Sequence, residues 1–248
     1  MNRLPSSELK GDLLSSEHAG SRPMQISVVI PTLNEADTIT QTLCGVRQAG
    51  ECQIIVVDGG SSDGTPEIAR LDADVVLSSQ RGRARQMNAG AQVATGHVLL
   101  FLHADTALPQ GFPVLLKQAF SDPQVVGGRF DVRLDAPGWS FRTVETMMNL
   151  RSRLTQISTG DQAVFVRREV FLAVGGYPEV ELMEDLELSK KLKRIGRIAC
   201  LREQVVTSAR RWQRDGVFRT ILLMWTLRLA HFFGVPPEQL KAFYTDTR

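Results

Sequence analysis

Short apolar runs alternate with helical patterns through the first half of the chain. Four of these runs predict buried strands, because each is nearly all apolar and ends at polar or turn-forming residues; they lie at residues 26–30, 53–57, 75–77 and 98–102. Between them, apolar residues recur at helical spacing; the predicted helices run from Ile39 to Gly50, after Thr65, over 83–94 and over 109–120. This order predicts a parallel sheet with right-handed crossovers.

Local signals predict where these elements begin and end. Pro31 is expected to end the first strand, and Asn34 and Asp37 offer caps to the first helix. Thr65 is expected to cap the next helix, with Pro66 at the first helical position.

The pattern changes after residue 125. Residues 126–134 alternate in the manner of an antiparallel or edge strand, and residues 163–166 and 198–201 predict further short strands. We therefore predict one α/β domain with three parts, a nucleotide-binding half over 25–122, an acceptor-side half over 123–212 and C-terminal helices over 213–248. Residues 1–24 carry Ser, Gly, Pro and mixed charge without an apolar run, so we expect a mobile tail rather than a signal peptide.

Charge and cysteine content narrow the classes of protein. A formal net charge of +2 is too small to indicate nucleic-acid binding. The arginines are nevertheless clustered, which suits a phosphate-rich small ligand or a solvated surface; the clusters are Arg81, Arg83 and Arg85, and Arg210, Arg211 and Arg214. The 3 cysteines lack metal-type spacing and indicate reduced thiols in a cytoplasmic protein.

The most apolar segment runs over residues 217–235. Arg219, Arg228 and His231 interrupt it, so it is too short to span a bilayer. These three residues do not share one narrow face of a helix, which leaves the helix apolar over most of its circumference. Such a helix is buried against the domain or a partner subunit, or it lies on a membrane surface.

Candidate chemistry begins at residues 98–105, Val-Leu-Leu-Phe-Leu-His-Ala-Asp. Side chains alternate across a strand, so His103 and Asp105 are expected to project on the same side. Ligands of open α/β sheets bind outside the carboxyl ends of the strands, where Asp105 could hold a divalent cation against a phosphate. The alternative is that Asp105 caps the helix that follows.

Polar residues follow three of the predicted strands and would meet in one cleft; they are Thr32, Asn34 and Glu35, then Asp58, then His103 and Asp105. The chain has no P-loop motif, which argues against a P-loop NTPase. Gly59, Gly60 and Gly64 lack the Gly-x-Gly-x-x-Gly spacing of dinucleotide-binding proteins and instead suit a tight turn.

Five motifs in order resemble the family 2 inverting glycosyltransferases of the GT-A fold, over roughly residues 25–212. They are Val-Val-Ile-Pro-Thr-Leu-Asn-Glu at 28–35, Ile-Val-Val-Asp-Gly-Gly-Ser-Ser-Asp-Gly-Thr at 55–65, Arg-Ala-Arg-Gln-Met-Asn-Ala-Gly at 83–90, His-Ala-Asp at 103–105 and Met-Glu-Asp at 183–185. The sequence also looks like a bacterial subgroup linked with arsenosugar biosynthesis.

The resemblance implies a role for each motif. The donor, a nucleoside-diphosphate sugar, would be bound by Thr32, Asn34, Glu35, Asp58, Arg83 and Arg85, with Thr32 and Asp58 at the base and Glu35 near the ribose. Asp105 would hold Mn²⁺ or Mg²⁺ at the diphosphate. Asp185 would deprotonate the acceptor hydroxyl, with Glu184 in support. A single base without an enzyme nucleophile gives inversion.

Two further positions follow from the resemblance. Asp161, in Gly160-Asp161-Gln162, is expected either to line the site or to form a turn. Arg211 could contact phosphate, and Trp212 either stacks on an acceptor or packs in the core. Asp185 begins a predicted helix, whose dipole is expected to lower its pKa and keep it ionised.

The motifs depart from the family pattern in two places. His103 replaces the first Asp of Asp-x-Asp; as a ligand it would favour Mn²⁺ over Mg²⁺, and otherwise it stands behind the ligands or contacts the sugar. The Gln-x-x-Arg-Trp motif of processive members is represented only by Ser208–Trp212. Its missing Gln argues against a polymer-extruding synthase.

The leading hypothesis is thus a cytoplasmic, metal-dependent glycosyltransferase. The alternatives are a catalytically silent GT-A module that binds nucleotide, or a sugar nucleotidyltransferase. The acceptor would be a small molecule, or a lipid phosphate if residues 217–235 contact a membrane; the same segment could form a homodimer.

Overall fold

The structure is a computed structural model that describes residues 24–180, 182–233 and 235, without the side chains of residues 228, 231 and 232. The predicted tail over 1–24 lies outside the described residues except for Met24, and the predicted C-terminal helices over 213–248 are described only to residue 235.

Among these residues, eight strands form one sheet in the order β3-β2-β1-β4-β7-β6-β8-β5. The strands are β1 (Ile26–Thr32), β2 (Gln53–Asp58), β3 (Val75–Ser78), β4 (Val98–Phe101), β5 (Thr106–Ala107), β6 (Val125–Leu134), β7 (Phe165–Arg167) and β8 (Arg197–Thr207). Strand β1 lies parallel to β2 and β4, and β3 continues the parallel part beyond β2. The apolar runs of β1, β2 and β4 are buried on both faces of the sheet, as predicted, whereas β3 at the edge of the sheet is only half-buried.

The described helices lie on both faces of the sheet. They are α1 (Ala36–Ala49), α2 (Thr65–Ala69), α3 (Arg83–Val93), α4 (Phe112–Ala119), α5 (Trp139–Thr155), α6 (Arg168–Ala173), α7 (Glu184–Ile195), α8 (Arg210–Asp215) and α9 (Val217–Phe232). Helix α3 approaches β1 closely, since a Cβ added at Gly90 would overlap the Val29 side chain. Over the described residues, no helix combines the length and apolar character that a bilayer crossing requires.

Three predicted element boundaries are wrong for identifiable reasons. Thr65 does not cap α2 but is its first residue, and the cap position is held by Gly64, whose φ of 86° favours glycine. Pro31 does not end β1, because β1 pairs with β4 only as far as Val29 and then continues beside β2 to Thr32. Neither Asn34 nor Asp37 caps α1; the amide of its first residue, Ala36, donates instead to Asp63 Oδ2 at 3.0 Å. The cap therefore comes from a neighbouring loop.

The second half departs further from the sequence pattern. Strand β6 is antiparallel to β7 and parallel to β8, so it lies inside the sheet rather than at its edge. Strand β8 extends well past the predicted 198–201, and its last residues pair with β5, which the pattern did not predict. Helix α5 was also not predicted. The resulting sheet is parallel where nucleotide binding was expected and mixed beyond β4.

Candidate active site

The carboxyl ends of β1, β2 and β4 meet at one edge of the sheet. Thr32 is opposite Asp58 in the register of β1 and β2. His103 and Asp105 follow β4, and Asp105 lies beside the last residues of β8, where its carbonyl accepts from the Ser208 amide at 3.2 Å. The strand-end residues therefore gather as expected for a ligand cleft.

Asp58 is buried and has its carboxylate occupied by its own loop. Its Oδ2 accepts from the amides of Gly60 at 2.8 Å and Ser61 at 2.9 Å, and the Thr32 hydroxyl donates to Oδ1 at 3.3 Å. Gly60 has a φ of 93°, a conformation that favours glycine. Asp58 and Thr32 thus shape the turn after β2, and their expected contact with the base stays a prediction.

Asn34 joins the loops that follow β1 and β2. Its amide donates to Ser61 Oγ at 2.8 Å, and its side-chain Oδ1 accepts from the Ser62 amide at 2.9 Å. Asn34 has a φ of 55°, which Asn tolerates better than most residues. The side chain is exposed at the cleft edge and holds the two loops together.

Arg210 connects two of the predicted site residues. Its Nη2 lies 3.1 Å from Asp105 Oδ2 and 3.2 Å from Glu35 Oε2. Partial burial disfavours the Arg210 cation, but its hydrogen bonds to the two carboxylates outweigh this and raise its pKa above the ordinary value. The sequence placed Arg210 in a basic cluster without giving it a site role, because the motif comparison pointed to its neighbour Arg211. Asp105 does not cap the next helix, which begins at Phe112.

Asp105 has the strongest features of a cation ligand at this edge. Its Oδ1 is buried and has no hydrogen-bond partner among the residues that the structure describes. A buried carboxylate oxygen in this position costs free energy unless a cation or donor satisfies it. Within residues 24–180, 182–233 and 235, no three or more His, Cys, Asp or Glu side chains form a metal-type cluster.

His103 contacts protein groups through both ring nitrogens. Arg83 Nη2 lies 2.6 Å from Nε2, and Asp161 Oδ1 lies 3.3 Å from Nδ1. The guanidinium can only donate, so we assign Nε2 as the acceptor and the proton to Nδ1, facing Asp161. Gly160 lies against this pair, since a Cβ there would overlap both Arg83 and His103. The role predicted for His103 as a metal ligand stays a prediction, and the contacts seen are with Arg83 and Asp161.

Arg83 extends from His103 to the predicted base. Its Nε lies 3.5 Å from Glu184 Oε1, and its Nη2 lies 3.8 Å from Asp185 Oδ2. Both carboxylates are buried in the first turn of α7. The Arg83 side chain thus connects the end of β4 with the start of α7.

Asp185 has a pKa raised from 3.8 to about 7. Burial is the main cause and the neighbouring Glu184 charge adds to it, while Arg83 and the Gly160 amide, which donates to Oδ2 at 2.8 Å, act in the opposite direction. The expectation that the helix dipole would lower this pKa is wrong, because desolvation outweighs it. Asp185 Oδ1 is buried and has no hydrogen-bond partner in the described part of the chain.

Tyr177 is buried and is affected by the charges of the two carboxylates. Burial, followed by the Asp185 charge, raises its pKa well above the usual value. Asn88 clamps its backbone, with Nδ2 donating to the Tyr177 carbonyl at 2.8 Å and Oδ1 accepting from its amide at 3.0 Å. Asn88 is part of the motif at 83–90, but no role was predicted for it.

The remaining predicted residues lie farther from this centre. Arg85 is exposed, and its Nε contacts Glu179 Oε2 at 3.2 Å. Arg211 is half-buried in α8. Trp212 packs against the apolar cluster of Leu134 and Val144, which supports the core alternative for this side chain.

Comparisons with known proteins agree with this architecture. The family described as Glycosyl transferase family 2 matches residues 27–173. The chain is 18% identical to the crystal structure of S. aureus TarS 1-349, with a TM-score of 0.61 over 84% of this chain and 66% of that one. This likeness confirms the predicted GT-A-like α/β fold.

Curated relatives give the same picture at the sequence level. A PGL/p-HBAD biosynthesis glycosyltransferase of Mycobacterium bovis is 30% identical over 61% of this chain and 62% of its own length. Glycosyltransferase AglE of Haloferax volcanii is 29% identical over 62% of this chain and 56% of its own. An undecaprenyl-phosphate 4-deoxy-4-formamido-L-arabinose transferase of Proteus mirabilis is 30% identical over 58% of this chain and 48% of its own.

The chain spans less than two thirds of the length of these relatives. The family match nevertheless covers more than half of the chain, and its residues include both the strand-end loops and the Gly160 turn. By this match, the chain belongs to glycosyl transferase family 2.

Proposed function

We propose that the chain is a glycosyltransferase that moves a sugar from a nucleoside-diphosphate donor to an acceptor hydroxyl, with inversion at the sugar carbon and Asp185 as the base. The observation that carries this proposal is the state of the Asp185 carboxylate. It is buried, its pKa is about 7, and its Oδ1 has no hydrogen-bond partner among the described residues. A general base works best when its pKa lies near the operating pH.

The proposed step needs no covalent intermediate on the enzyme. Asp185 Oδ1 accepts the proton of the acceptor hydroxyl, which in a lipid phosphate is the P–OH of the singly ionised phosphate, while the acceptor oxygen bonds to the anomeric carbon. The bond from that carbon to the diphosphate oxygen breaks, and the nucleoside diphosphate leaves with the electron pair. Attack opposite the leaving group inverts the configuration.

Arg83 has two functions in this proposal. It is 3.8 Å from Asp185, and its positive charge favours the ionised form of that base. It also contacts His103 at the end of β4, next to the residues assigned to the donor. A guanidinium between the two halves of the cleft is suited to stabilising negative charge on the departing diphosphate.

Asp105 fits the role of metal ligand in the proposal through its buried Oδ1. Glu35 would assist, since Arg210 contacts both carboxylates through one nitrogen. When bound, Mn²⁺ or Mg²⁺ would supply positive charge against the leaving diphosphate. His103 would stand behind this site and hold Arg83.

The donor and acceptor classes are supported by the neighbours. TarS was solved in complex with UDP-GlcNAc, and this structure has a TM-score of 0.60 to the chain at 19% identity. We therefore propose a nucleoside-diphosphate sugar as the donor. The Proteus relative is named for undecaprenyl phosphate, which favours a lipid-phosphate acceptor at the inner face of a membrane. The suggested link with arsenosugar biosynthesis stays a prediction.

The direct experiment compares Asp185→Asn with a matched control. Purified full-length chain, a panel of nucleotide sugars, Mn²⁺ and undecaprenyl phosphate would be assayed for released nucleoside diphosphate. Asp185→Asn keeps the shape and removes the basicity, so turnover should fall by at least about a hundredfold with donor affinity nearly unchanged. The control is Glu187→Gln, in the same turn of α7, whose carboxylate contacts Lys190.

The two alternatives predict other outcomes. A silent GT-A module would bind the nucleotide and release none with any donor or acceptor. A sugar nucleotidyltransferase would form a nucleotide sugar from a nucleoside triphosphate and a sugar phosphate. Near-normal turnover by Asp185→Asn would reject Asp185 as the base.

A further inference from the structure

Helix α9 exposes a continuous apolar stripe on one side. The stripe consists of Phe218, Leu222, Trp225 and Leu229 of α9 and of Phe233 directly after it, whose amide still donates to the Leu229 carbonyl; each is between 58% and 79% exposed. At roughly 100° per residue, their spacing places all five within about 80° of the helix circumference. We call these five residues the outer stripe. Exposed apolar surface of this extent indicates a site of interaction.

The opposite side of α9 attaches the helix to the site. Leu227 is buried with Met183, the residue that precedes Glu184 and Asp185, and Leu223 packs against the same pair. Nearer its start, Ile221 packs against Val144 of α5. The side of α9 opposite the outer stripe therefore packs against the segment that carries the proposed base.

Positive charge is concentrated around this helix. Residues 210–233 contain five arginines and one aspartate, a formal charge of +4 with His neutral, whereas the whole chain carries +2. The remainder of the chain is therefore net negative. Arg214 and Arg219 are exposed, at the beginning of the segment that bears the outer stripe. Apolar surface bordered by arginines is the pattern of helices that lie in the interface of anionic membranes.

We infer that the outer stripe docks the protein on the surface of an anionic lipid bilayer. Phe218, Leu222, Trp225, Leu229 and Phe233 would enter the boundary between headgroups and acyl chains, and the exposed Arg214 and Arg219 would contact lipid phosphates. A second copy of the chain fits less well, because a symmetric pairing through α9 would bring two segments of charge +4 together.

This inference deepens the proposed function, since a docked α9 would hold the base segment close to a lipid-phosphate acceptor. The contact between Leu227 and Met183 supplies the physical link. The acceptor itself would enter from the membrane side, while the donor is assigned to the cleft at the strand ends. The inference concerns binding to lipid and can be tested without turnover.

The experiment is co-sedimentation of the full chain with vesicles. Vesicles of phosphatidylcholine alone would be compared with vesicles containing about one third phosphatidylglycerol, at low and high salt. The chain should bind the anionic vesicles and dissociate as salt rises. The double variant Leu222→Gln, Trp225→Gln should reduce the bound fraction at least about tenfold, because it removes apolar area from the outer stripe.

The matched control removes exposed apolar side chains elsewhere. Leu71 and Val114 are 81% and 58% exposed in the first half of the chain. The variant Leu71→Gln, Val114→Gln should keep vesicle binding. The charge variant Arg214→Gln, Arg219→Gln should weaken binding to anionic vesicles without creating a preference for neutral ones.

Three outcomes overturn the inference. The first is no binding of the full chain to anionic vesicles, and the second is equal binding by the outer-stripe variant. The third is a dimer in light scattering that the same variant abolishes, which would assign the stripe to a second copy. Vesicle binding without nucleotide release would support membrane docking and reject the proposed function. Nucleotide release in detergent without vesicle binding would support the proposed function and reject membrane docking.

Discussion

Arg210 and Asp105 are 105 residues apart in the chain, yet Arg210 Nη2 lies 3.1 Å from Asp105 Oδ2. The same nitrogen contacts Glu35 Oε2. A fixed cation therefore lies between the two carboxylates that the proposal assigns to metal and donor. A divalent cation and this guanidinium carry like charge and compete for the same oxygens.

The first prediction concerns this competition. Arg210→Ala leaves Asp105 and Glu35 without their cation, so the chain without nucleotide should bind Mn²⁺ more tightly, by about tenfold. Isothermal titration calorimetry with Mn²⁺ measures the change. Arg214→Ala is the control, because Arg214 pairs with Asp215 instead. Unchanged or weaker Mn²⁺ binding in Arg210→Ala would show that the metal does not use these carboxylates.

The second prediction concerns the pH at which the base ionises. Arg83 lowers the pKa of Asp185, so Arg83→Gln should raise it above the present value of about 7. The base is inactive when protonated, and the acidic limb of kcat/KM should therefore move upward by about one pH unit. The position of the limb is the readout, because Arg83 also contributes to the absolute rate. Arg85→Gln should leave the limb in place, and a limb that does not move in Arg83→Gln would contradict the coupling.

The third prediction concerns stability. The Asp185 carboxyl has a pKa of 3.8 in the unfolded chain and about 7 in the folded chain. It therefore lowers the free energy of unfolding as the pH rises from 3.8 to about 7. Asp185→Asn removes this cost, so its stability relative to the unmodified chain should grow by about 2–3 kcal/mol between pH 5 and pH 8. Urea unfolding at the two pH values measures the difference.

A matched variant separates this effect from a general one. Gln92→Ala changes no titratable group, so its difference from the unmodified chain should stay constant between pH 5 and pH 8. If Asp185→Asn also gave a constant difference, Asp185 would titrate normally in the folded chain.

The fourth prediction concerns Asn88. Its side chain makes two hydrogen bonds to the Tyr177 backbone, and Asn88→Ala would leave both groups without their partner. The free energy of unfolding should fall by about 2–3 kcal/mol, which urea denaturation measures. Gln92→Ala, at an exposed position of the same helix, should change stability by less than about 0.5 kcal/mol. Equal effects of the two variants would mean that the clamp contributes nothing.

Strands β1, β2 and β4 were predictable because they are buried on both faces of the sheet and are therefore nearly all apolar. Helix α5 was not predictable, because its buried face mixes apolar and polar residues. Its buried residues are Val144, Glu145 and Ser152, whereas Leu150 and Leu154 are exposed. A hydrophobic-periodicity argument does not locate a helix with such a mixed pattern.

The candidate site, like the fold, was predictable from the sequence only in part. The order of the motifs along the chain predicted Asp105 and Asp185 as site residues, because each lies in a motif that is continuous in the sequence. Arg210 and the links from Arg83 to His103 and Glu184 depend on how distant segments pack, which spacing along the chain does not encode. The pKa of Asp185 likewise depends on burial, which the helix-start signal could not reveal.

The Gly160 amide donates a hydrogen bond to Asp185, and Gly160 lies against both Arg83 and His103. A displacement of this one turn therefore reaches the acceptor side and the donor side together. The free-energy effects of substitutions at His103, Arg83 and Asp185 should consequently be non-additive, since each variant perturbs a unit that the others share. Loss of activity in any single one cannot be assigned to one substrate, and only double-mutant cycles across the turn will separate the two.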